Sequence, residues 1–264
     1  MNQNTPVNDV IYKIRLYGVR KSVTFIIDEC ERFIRSVLTH SYSQCGEDII
    51  LDKILKKYSK GFYVDVGAYD PTRFSNTLRF YEKGWSGINI EPNVVQYNKF
   101  VRARSRDINL NIGVGSKNGA LTYYQIIPTT LSTFSKQMAD EYMNHGYTME
   151  GKKKVPVLKL SDIFSKYAKN RFIHYISIDV EGYEVDVLKS NNWKKYRPLV
   201  ICLEVHFSHI NIVDDKKREL MIMNYLHSIG YLFFTKSDLN YFFINEHTAN
   251  ELINYGHKRR ENGI

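Results

Sequence analysis

The sequence predicts a doubly wound, Rossmann-like α/β fold with a mostly parallel sheet, and three observations support this prediction. Short apolar runs alternate with segments of helical spacing along most of the chain. The first run, residues 62–66, carries Asp65 and leads into Gly67. The second run, residues 88–90, leads into Glu91. Nucleotide-like cofactors bind at the carboxyl edge of a parallel sheet, at sites in which a strand, an acid and a glycine are followed by a crossover, a second strand and a second acid.

The individual elements follow from the spacing of apolar residues. Recurrence every three or four residues predicts helices at 47–59, 72–83, 94–104, from 161 onward, around 185–188 and at 214–229. Short apolar or alternating runs predict strands at 62–66, 88–90, 108–114, 121–127, 155–160, 175–178 and 199–205, and a closing antiparallel hairpin at 231–235 and 241–245. The polar stretch 129–154 has no clean period, which is typical of a lid or substrate loop inside a compact domain.

The 264 residues suffice for one domain, predicted at residues 41–264, and a mainly helical extension, residues 1–40. The extension mixes apolar with basic residues, so we expect it to pack against the domain, with a helix lying on a membrane surface as the alternative. No apolar run is long enough to span a membrane, and the apolar stretch 23–27 is too short for a secretion signal. Three widely spaced cysteines fit a reducing compartment. We therefore expect a cytoplasmic protein, with peripheral membrane association as a further alternative.

The net charge of +9 bears on the choice of partner. Basic residues form dispersed clusters at 102–106, 152–154, 216–218 and 258–260. A solvated lysine-rich surface explains such clusters, and an anionic substrate, an anionic membrane face or nucleic acid are the sharper alternatives. No nucleic-acid-binding motif surrounds the clusters, which makes nucleic acid the weakest of these partners.

The turn after the first strand favours a cationic cofactor. A dinucleotide site requires Gly-x-Gly-x-x-Gly, whereas Gly67 is followed by Ala-Tyr-Asp-Pro, and Asp65 and Asp70 flank the turn. Carboxylates there would repel a pyrophosphate but attract a sulfonium and an ammonium group, and S-adenosylmethionine carries both. Glu91 ends the next strand, where a carboxylate can accept hydrogen bonds from both ribose hydroxyls. Capping of a strand end is the alternative reading for either acid alone.

Motifs spread over most of the chain resemble the FkbM family of S-adenosylmethionine-dependent methyltransferases. The matching segments are Ser-Gln-Cys-Gly-Glu-Asp at 43–48, Val-Asp-Val-Gly-Ala-Tyr-Asp at 64–70, Phe-Ser-Asn-Thr at 74–77, Gly-Trp-Ser-Gly at 84–87, Ile-Glu-Pro-Asn at 90–93, Ser-Ile-Asp-Val-Glu-Gly at 177–182 and Leu-Glu-Val-His at 203–206. The resemblance covers about residues 41–245. It implies a seven-stranded class I methyltransferase fold closed by the hairpin. It also implies O-methylation, usually of a hydroxyl on a sugar, glycan or polyketide-type metabolite.

The resemblance further implies which residues surround the cofactor. They are Gln44, Asp65, Gly67, Ala68, Tyr69, Asp70, Ser75, Asn76, Glu91, Pro92, Asn93, Asn111, Ile112 and Asp179. Ser75 and Asn76 would lie near the methionine end, Asn111 and Ile112 near the adenine, and Gln44 would either reach over the site or cap a helix. Residues 131–134 depart from the family pattern, in which a glycine often follows the serine, so their contact with the cofactor stays open.

Acidic residues at two further strand ends are the candidates for the chemistry. Methyl transfer is an in-line displacement in which the enzyme aligns the acceptor oxygen and relieves it of a proton. Asp179, Glu181, Glu204 and His206 follow two strands that a parallel sheet brings to the same edge. The predicted catalytic residues are Asp179, Glu181 and His206. His206 is the preferred general base because the ordinary pKa of histidine is about 6.5, and a histidine merely bonded to a neighbouring carboxylate is the alternative.

Two alternatives concern a metal and the acceptor. Asp179, Glu204 and His206 could instead bind one divalent ion, such as Mg²⁺, that lowers the pKa of the acceptor hydroxyl. The positive charge motivates a nucleic-acid methyltransferase, but residues 179–182 lack the two prolines typical of base N-methylating enzymes. A non-catalytic module with an inactive nucleotide pocket is a third possibility, which the intact acids and Gly67 disfavour. The sequence identifies neither the acceptor nor the oligomeric state.

Overall fold

The computed structural model describes residues 40–205, 212–238 and 240–249, with residues 212–215 described by their backbone alone. The predicted helical extension therefore lies outside the described residues except for His40. His206 also lies outside them. No helix within the described ranges is long and apolar enough to cross a membrane.

Helices and strands alternate along the described chain. The helices are α1 (Glu47–Ile54), α2 (Leu78–Glu82), α3 (Val94–Ala103), α4 (Lys136–Asn144), α5 (Leu160–Tyr167), α6 (Glu184–Lys189) and α7 (Ile212–Ser228), with a 3₁₀ turn at Thr129–Leu131. The strands are β1 (Phe62–Val66), β2 (Ser86–Ile90), β3 (Ile108–Leu110), β4 (Gly113–Val114), β5 (Gly119–Ile127), β6 (Thr148–Leu158), β7 (Tyr175–Ile178), β8 (Val200–Glu204), β9 (Tyr231–Lys236) and β10 (Asn240–Asn245).

Seven strands form one sheet in the order β3-β2-β1-β7-β8-β10-β9. Every neighbouring pair from β3 to β8 is parallel, and β10 runs antiparallel to both β8 and β9. Apolar clusters cover both faces of this sheet, one including Val64 and Ile222 and the other including Tyr63 and Leu51. Because β1 is central and lies between β2 and β7, the residues that follow these three strands meet at one edge.

A second sheet, of order β4-β6-β5, lies between β3 and β7 in the chain. We call residues 113–158 the insertion. Its long hairpin pairs β5 with β6, from Gly119 opposite Val157 to Ile127 opposite Thr148. The predicted irregular loop at 129–154 was wrong, because α4 and most of β6 occupy this stretch.

Several predicted bounds also differ, and the predicted helix 47–59 ends at Ile54. The predicted strand 108–114 is divided, since β3 joins the main sheet whereas β4 pairs with β6 in the insertion. The apolar alternation continues across this break because it depends on which face of the strand is buried. It does not depend on which strand is the hydrogen-bonding partner. The predicted helix 72–83 is shorter, and only α2 is helical within it.

Candidate active site

The turn after β1 depends on Gly67. Its φ is 79°, in the left-handed region that favours glycine, and its N–H donates to the carbonyl of Ile90 at 3.0 Å. The N–H of Ala68 donates to the same carbonyl at 3.2 Å. A Cβ atom added to Gly67 would lie 1.7 Å from the carbonyl oxygen of Asp179. The turn therefore brings the ends of β1, β2 and β7 into direct contact and leaves no space for a side chain.

Glu91 holds the same turn from the end of β2. Its buried carboxylate accepts the N–H of Tyr69 through Oε2 at 2.8 Å and the N–H of Asn93 through Oε1 at 2.7 Å. The bond to Tyr69 supports a non-glycine residue with a φ of 52°. Burial raises the pKa of Glu91 to about 8, although the two backbone N–H groups act in the opposite direction. A carboxylate has room for about four hydrogen bonds, so Glu91 could also accept ribose hydroxyls.

Asp65 is buried in β1 and has a partner in the loop before α2. Its Oδ2 accepts the hydroxyl of Thr77 at 2.9 Å. Burial raises the pKa of Asp65 to about 7, while the Thr77 hydrogen bond and the nearby Arg104 act to lower it. Its negative charge is therefore only partly compensated within the protein.

Asp70 differs from the free carboxylate that the sequence suggested. Its Oδ1 accepts the N–H groups of Thr72 and Arg73 at 3.0 and 3.1 Å, and its Oδ2 accepts the Lys99 ammonium at 2.8 Å. Burial raises the pKa of Asp70, but the hydrogen bonds from Lys99 and the loop backbone outweigh it, and the pKa lies below its ordinary value. Because Lys99 balances this charge, the attraction for a cation rests on the other acids.

Arg104 stabilises the loop that follows Asp70 through hydrogen bonds. Its guanidinium, almost wholly buried, donates twice to the carbonyl of Pro71, at 3.1 and 2.6 Å, and once to Ser75 Oγ at 3.1 Å. Ser75 Oγ also accepts the N–H of Thr77 at 3.3 Å. These side-chain bonds compete with helical backbone bonds, which explains why residues 72–77 form a loop and not the predicted helix.

Asn93 and Asn111, both predicted near the cofactor, stabilise the loop after β2. Asn93 caps α3 by accepting the N–H of Val95 at 2.9 Å. Asn111 Nδ2 donates to the carbonyls of Glu91 and Pro92 at 2.8 and 3.1 Å. Both side chains therefore have structural partners.

Asn76 and Gln44 lie on segments that are bonded to this edge. Asn76 Nδ2 donates to Ser177 Oγ in β7 at 2.9 Å. The segment of Gln44 is tied to the loop before α2, because the N–H of Ser75 donates to the carbonyl of Tyr42 at 3.0 Å. The Gln44 side chain is half-buried.

Three carboxylates meet beyond the turn, at the ends of β7 and β8. Oxygen atoms of Asp179, Glu181 and Glu204 lie within 4.8 Å of one another. Asp179 and Glu204 are hydrogen-bonded to each other, and Oε2 of Glu204 is buried without a hydrogen-bond partner among the described residues. Burial raises the pKa of all three. Such a group shares protons or binds a cation, so it could receive a proton from an acceptor hydroxyl or hold a divalent metal.

Two further buried acids organise the surrounding loops. Glu184 Oε1 accepts the N–H groups of Val180 and Gly182 at 3.2 and 3.1 Å, and burial raises the pKa of Glu184 to about 8. Glu47 in α1 accepts the hydroxyl of Ser237 at 2.6 Å and so connects α1 to the segment between β9 and β10. The sequence predicted a functional role for neither acid.

The insertion contacts the loop after β7 directly. The hydroxyl of Thr133 donates to the carbonyl of Glu181 at 2.7 Å, and the hydroxyl of Tyr142 donates to Glu181 Oε2 at 2.6 Å. A Cβ atom added to Gly182 would lie 2.3 Å from Cγ of Met138. Sequence reasoning missed these contacts because each joins positions about 40 or more residues apart.

The structure therefore brings most of the predicted residues to one edge of the main sheet. Ile112 lies in the connection between β3 and β4 and is partly buried. The two roles predicted for His206, general base and metal ligand, fall outside the described residues and remain predictions. Within the described part of the chain, the group that could hold a metal is Asp179, Glu181 and Glu204.

The strand order, with β1 at the centre and an acid-lined edge after β1, β2 and β7, is the architecture of a Rossmann-like methyltransferase. A family model described as the methyltransferase FkbM domain matches residues 65–233. The chain belongs to the FkbM methyltransferase family. Among curated proteins, no sequence matches this chain.

Proposed function

We propose that the protein is an S-adenosylmethionine-dependent O-methyltransferase that acts on a hydroxyl of a carbohydrate, glycan or related metabolite. The observation that carries this proposal is the set of buried and half-buried acids around the Gly67 turn. Burial raises the pKa of Asp65, Glu91 and Asp179 because their charges are incompletely compensated. A sulfonium and an ammonium group would supply the missing positive charge, whereas a pyrophosphate would be repelled.

The proposed cofactor site uses the three strand ends. Glu91 would accept the ribose hydroxyls, and the open backbone at Gly67 and Ala68 would let the cofactor approach the sheet edge closely. When bound, S-adenosylmethionine supplies an electrophilic methyl group. The task of the protein is then to place an acceptor oxygen in line with that group and to take up the hydroxyl proton.

The proposed acceptor side is the carboxylate group after β7 and β8. A carboxylate with a raised pKa is a better proton acceptor near neutral pH than an ordinary one, so Asp179 or Glu181 is suited to receive the hydroxyl proton. The acceptor oxygen would gain the methyl group that the sulfonium loses, and the carboxyl group of Asp179 or Glu181 would hold the released proton. His206 remains the alternative base.

A divalent metal such as Mg²⁺ is an alternative component, because the same carboxylates would then bind the ion instead of the acceptor proton. Asp179 and Glu204 were predicted as ligands, and Glu181 is the described residue that lies within reach of both. All three offer the oxygen ligands that Mg²⁺ prefers. Prolonged dialysis against EDTA should abolish methyl transfer, and Mg²⁺ or Mn²⁺ should restore it. Full activity after removal of the metal would exclude this component.

Transfer of radiolabelled methyl groups from S-adenosylmethionine into fractionated cell extract tests the proposed function. We expect label in a carbohydrate-containing fraction that is stable to mild alkali, as a methyl ether is and a methyl ester is not. Label that nuclease treatment releases would favour the nucleic-acid alternative. Cofactor binding without transfer into any fraction would favour a non-catalytic module.

A further inference from the structure

The insertion determines the shape of the loop after β7. Its residues contact three consecutive positions, 181–183. Thr133 donates to the carbonyl of Glu181, and Met138 fills the space beside Gly182. The ring of Phe134 lies 6.0 Å from the ring of Tyr183. The loop that carries a predicted catalytic acid is thus packed against a separate sheet and helix.

Glu181 adopts a backbone conformation that needs such support. Its φ is 51°, and that of Gly182 is 91°. A left-handed conformation is disfavoured for a residue with a Cβ atom and persists only where surrounding contacts enforce it. The two left-handed residues turn the chain so that the Glu181 carboxylate comes within 4.8 Å of Asp179 and Glu204.

Tyr142 completes the arrangement through its side chain. It is 2% exposed and packs with Ile126, Met138 and Ala139 in the apolar cluster of the insertion. Its hydroxyl lies at the edge of this cluster and donates to Glu181 Oε2 at 2.6 Å. A short O–H···O bond to a carboxylate is among the stronger hydrogen bonds in proteins. The orientation of Glu181 is therefore fixed by a packed helix of the insertion.

We propose that Tyr142 is a positioning residue for methyl transfer. Its hydroxyl holds the Glu181 carboxylate beside Asp179, where the two carboxylates bind the hydroxyl group of the methyl acceptor. This inference rests on the proposed function and assigns the insertion to the acceptor side of the site. The insertion contacts the loop after β7, so loss of the Tyr142 hydroxyl should impair turnover and leave cofactor binding intact.

The test compares Tyr142→Phe with Tyr124→Phe in the full chain. Tyr142→Phe removes one hydroxyl and keeps the ring. Tyr124 packs on the same apolar cluster, with the Lys152 ammonium 5.6 Å from its ring centre, so it is a matched control for loss of a tyrosine hydroxyl in the insertion. Each protein is titrated with S-adenosylhomocysteine by calorimetry. Each is then assayed for methyl transfer into the extract fraction that the wild type labels, with S-adenosylmethionine and that fraction varied separately.

We expect Tyr142→Phe to bind S-adenosylhomocysteine within about twofold of the wild type and to lose about tenfold or more in kcat, with an unchanged KM for S-adenosylmethionine. Tyr124→Phe should match the wild type in both assays. Wild-type turnover in Tyr142→Phe would overturn the inference and leave the proposed function standing. A parallel loss of binding and turnover in Tyr142→Phe would show a merely structural role and also overturn it. A wild type that neither binds nor transfers would refute the proposed function and this inference together.

Discussion

The α-carbon of Gly67 packs against the backbone carbonyl of Asp179, so closely that a methyl group at Gly67 would lie 1.7 Å from that oxygen. The N–H of Asp179 in turn donates to the carbonyl of Val66 at 3.0 Å. The proposed cofactor turn and the first residue of the proposed acceptor side are therefore joined through their backbones. A substitution that displaces the backbone at either residue should therefore displace the other.

Gly67→Ala should abolish cofactor binding. The added methyl group meets backbone atoms that cannot move aside, and the φ of 79° is unfavourable for alanine. Calorimetry with S-adenosylhomocysteine should show at least about a hundredfold loss of affinity. Gly115→Ala is the control, because its new Cβ would have ordinary contacts of 3.5 Å or more and should leave binding unchanged. Equal affinity in Gly67→Ala and the wild type would refute the described turn.

Arg104→Lys should weaken cofactor binding without direct contact to the cofactor. Lysine keeps the charge but cannot reproduce the two bonds to the Pro71 carbonyl together with the bond to Ser75. We expect a loss of stability on the order of 2 kcal/mol and about tenfold weaker binding of S-adenosylhomocysteine. Arg102→Lys, at an exposed position near the end of α3, the helix that Arg104 follows, should change neither quantity. A variant at Arg104 with wild-type affinity would show that the loop does not depend on this residue.

Binding of S-adenosylhomocysteine should strengthen as the pH rises toward 8. Burial places the pKa of Glu91 at about 8, so below that pH the carboxyl must lose a proton before it can accept ribose hydroxyls as a carboxylate. The affinity should rise by up to about tenfold per pH unit between roughly pH 6 and pH 8, and then level off. Glu91→Gln should bind more weakly and lose most of this dependence. An identical pH profile in the wild type and Glu91→Gln would contradict the role of Glu91.

Glu184→Gln should become relatively more stable than the wild type as the pH rises. The pKa of Glu184 is about 8 in the folded chain against an ordinary value of 4.5. Its contribution to stability is therefore fully present below about pH 4.5 and is lost as the pH rises through about 8. Glutamine keeps the oxygen that accepts from Val180 and Gly182. The difference in melting temperature between variant and wild type should grow by about 5 °C in favour of the variant from pH 5.5 to pH 8.5.

Asp186→Asn, in the same helical turn and partly exposed, is the control for the charge change at Glu184. The melting-temperature difference of this variant should vary little over the same pH range. If Glu184→Gln behaved like Asp186→Asn, the Glu184 carboxyl would not be the buried acid described.

The central strands were predictable because parallel strands buried on both faces read as continuous apolar runs. Residues 62–66 and 175–178 were predicted and are observed as β1 and β7. The insertion was harder, because six of the first seven residues of β6 are polar or glycine, and this part of the strand has no buried position. Apolar periodicity predicts strands and helices but does not predict which strands pair, so the pairing of β6 with β5 could not be predicted.

For the site, the sequence indicated which acids end the strands but not what their side chains contact. Asp70 is the clearest case, since its ion pair with Lys99 spans 29 positions. The ammonium group balances a carboxylate that was expected to attract a cationic cofactor. The bond between Tyr142 and Glu181 spans 39 positions and joins α4 of the insertion to the loop after β7. Partners of this kind depend on how distant segments of the chain pack together, and no local pattern encodes that.

Calorimetric titration of the full chain with S-adenosylhomocysteine tests whether the Gly67 turn binds the cofactor. We expect saturable binding at one site per chain, at least about tenfold weaker in Glu91→Ala and unchanged in Glu150→Ala, an exposed position on β6. Absence of binding by the wild type, or equal binding by Glu91→Ala, would contradict the assignment of the Gly67 turn as a site for S-adenosylmethionine.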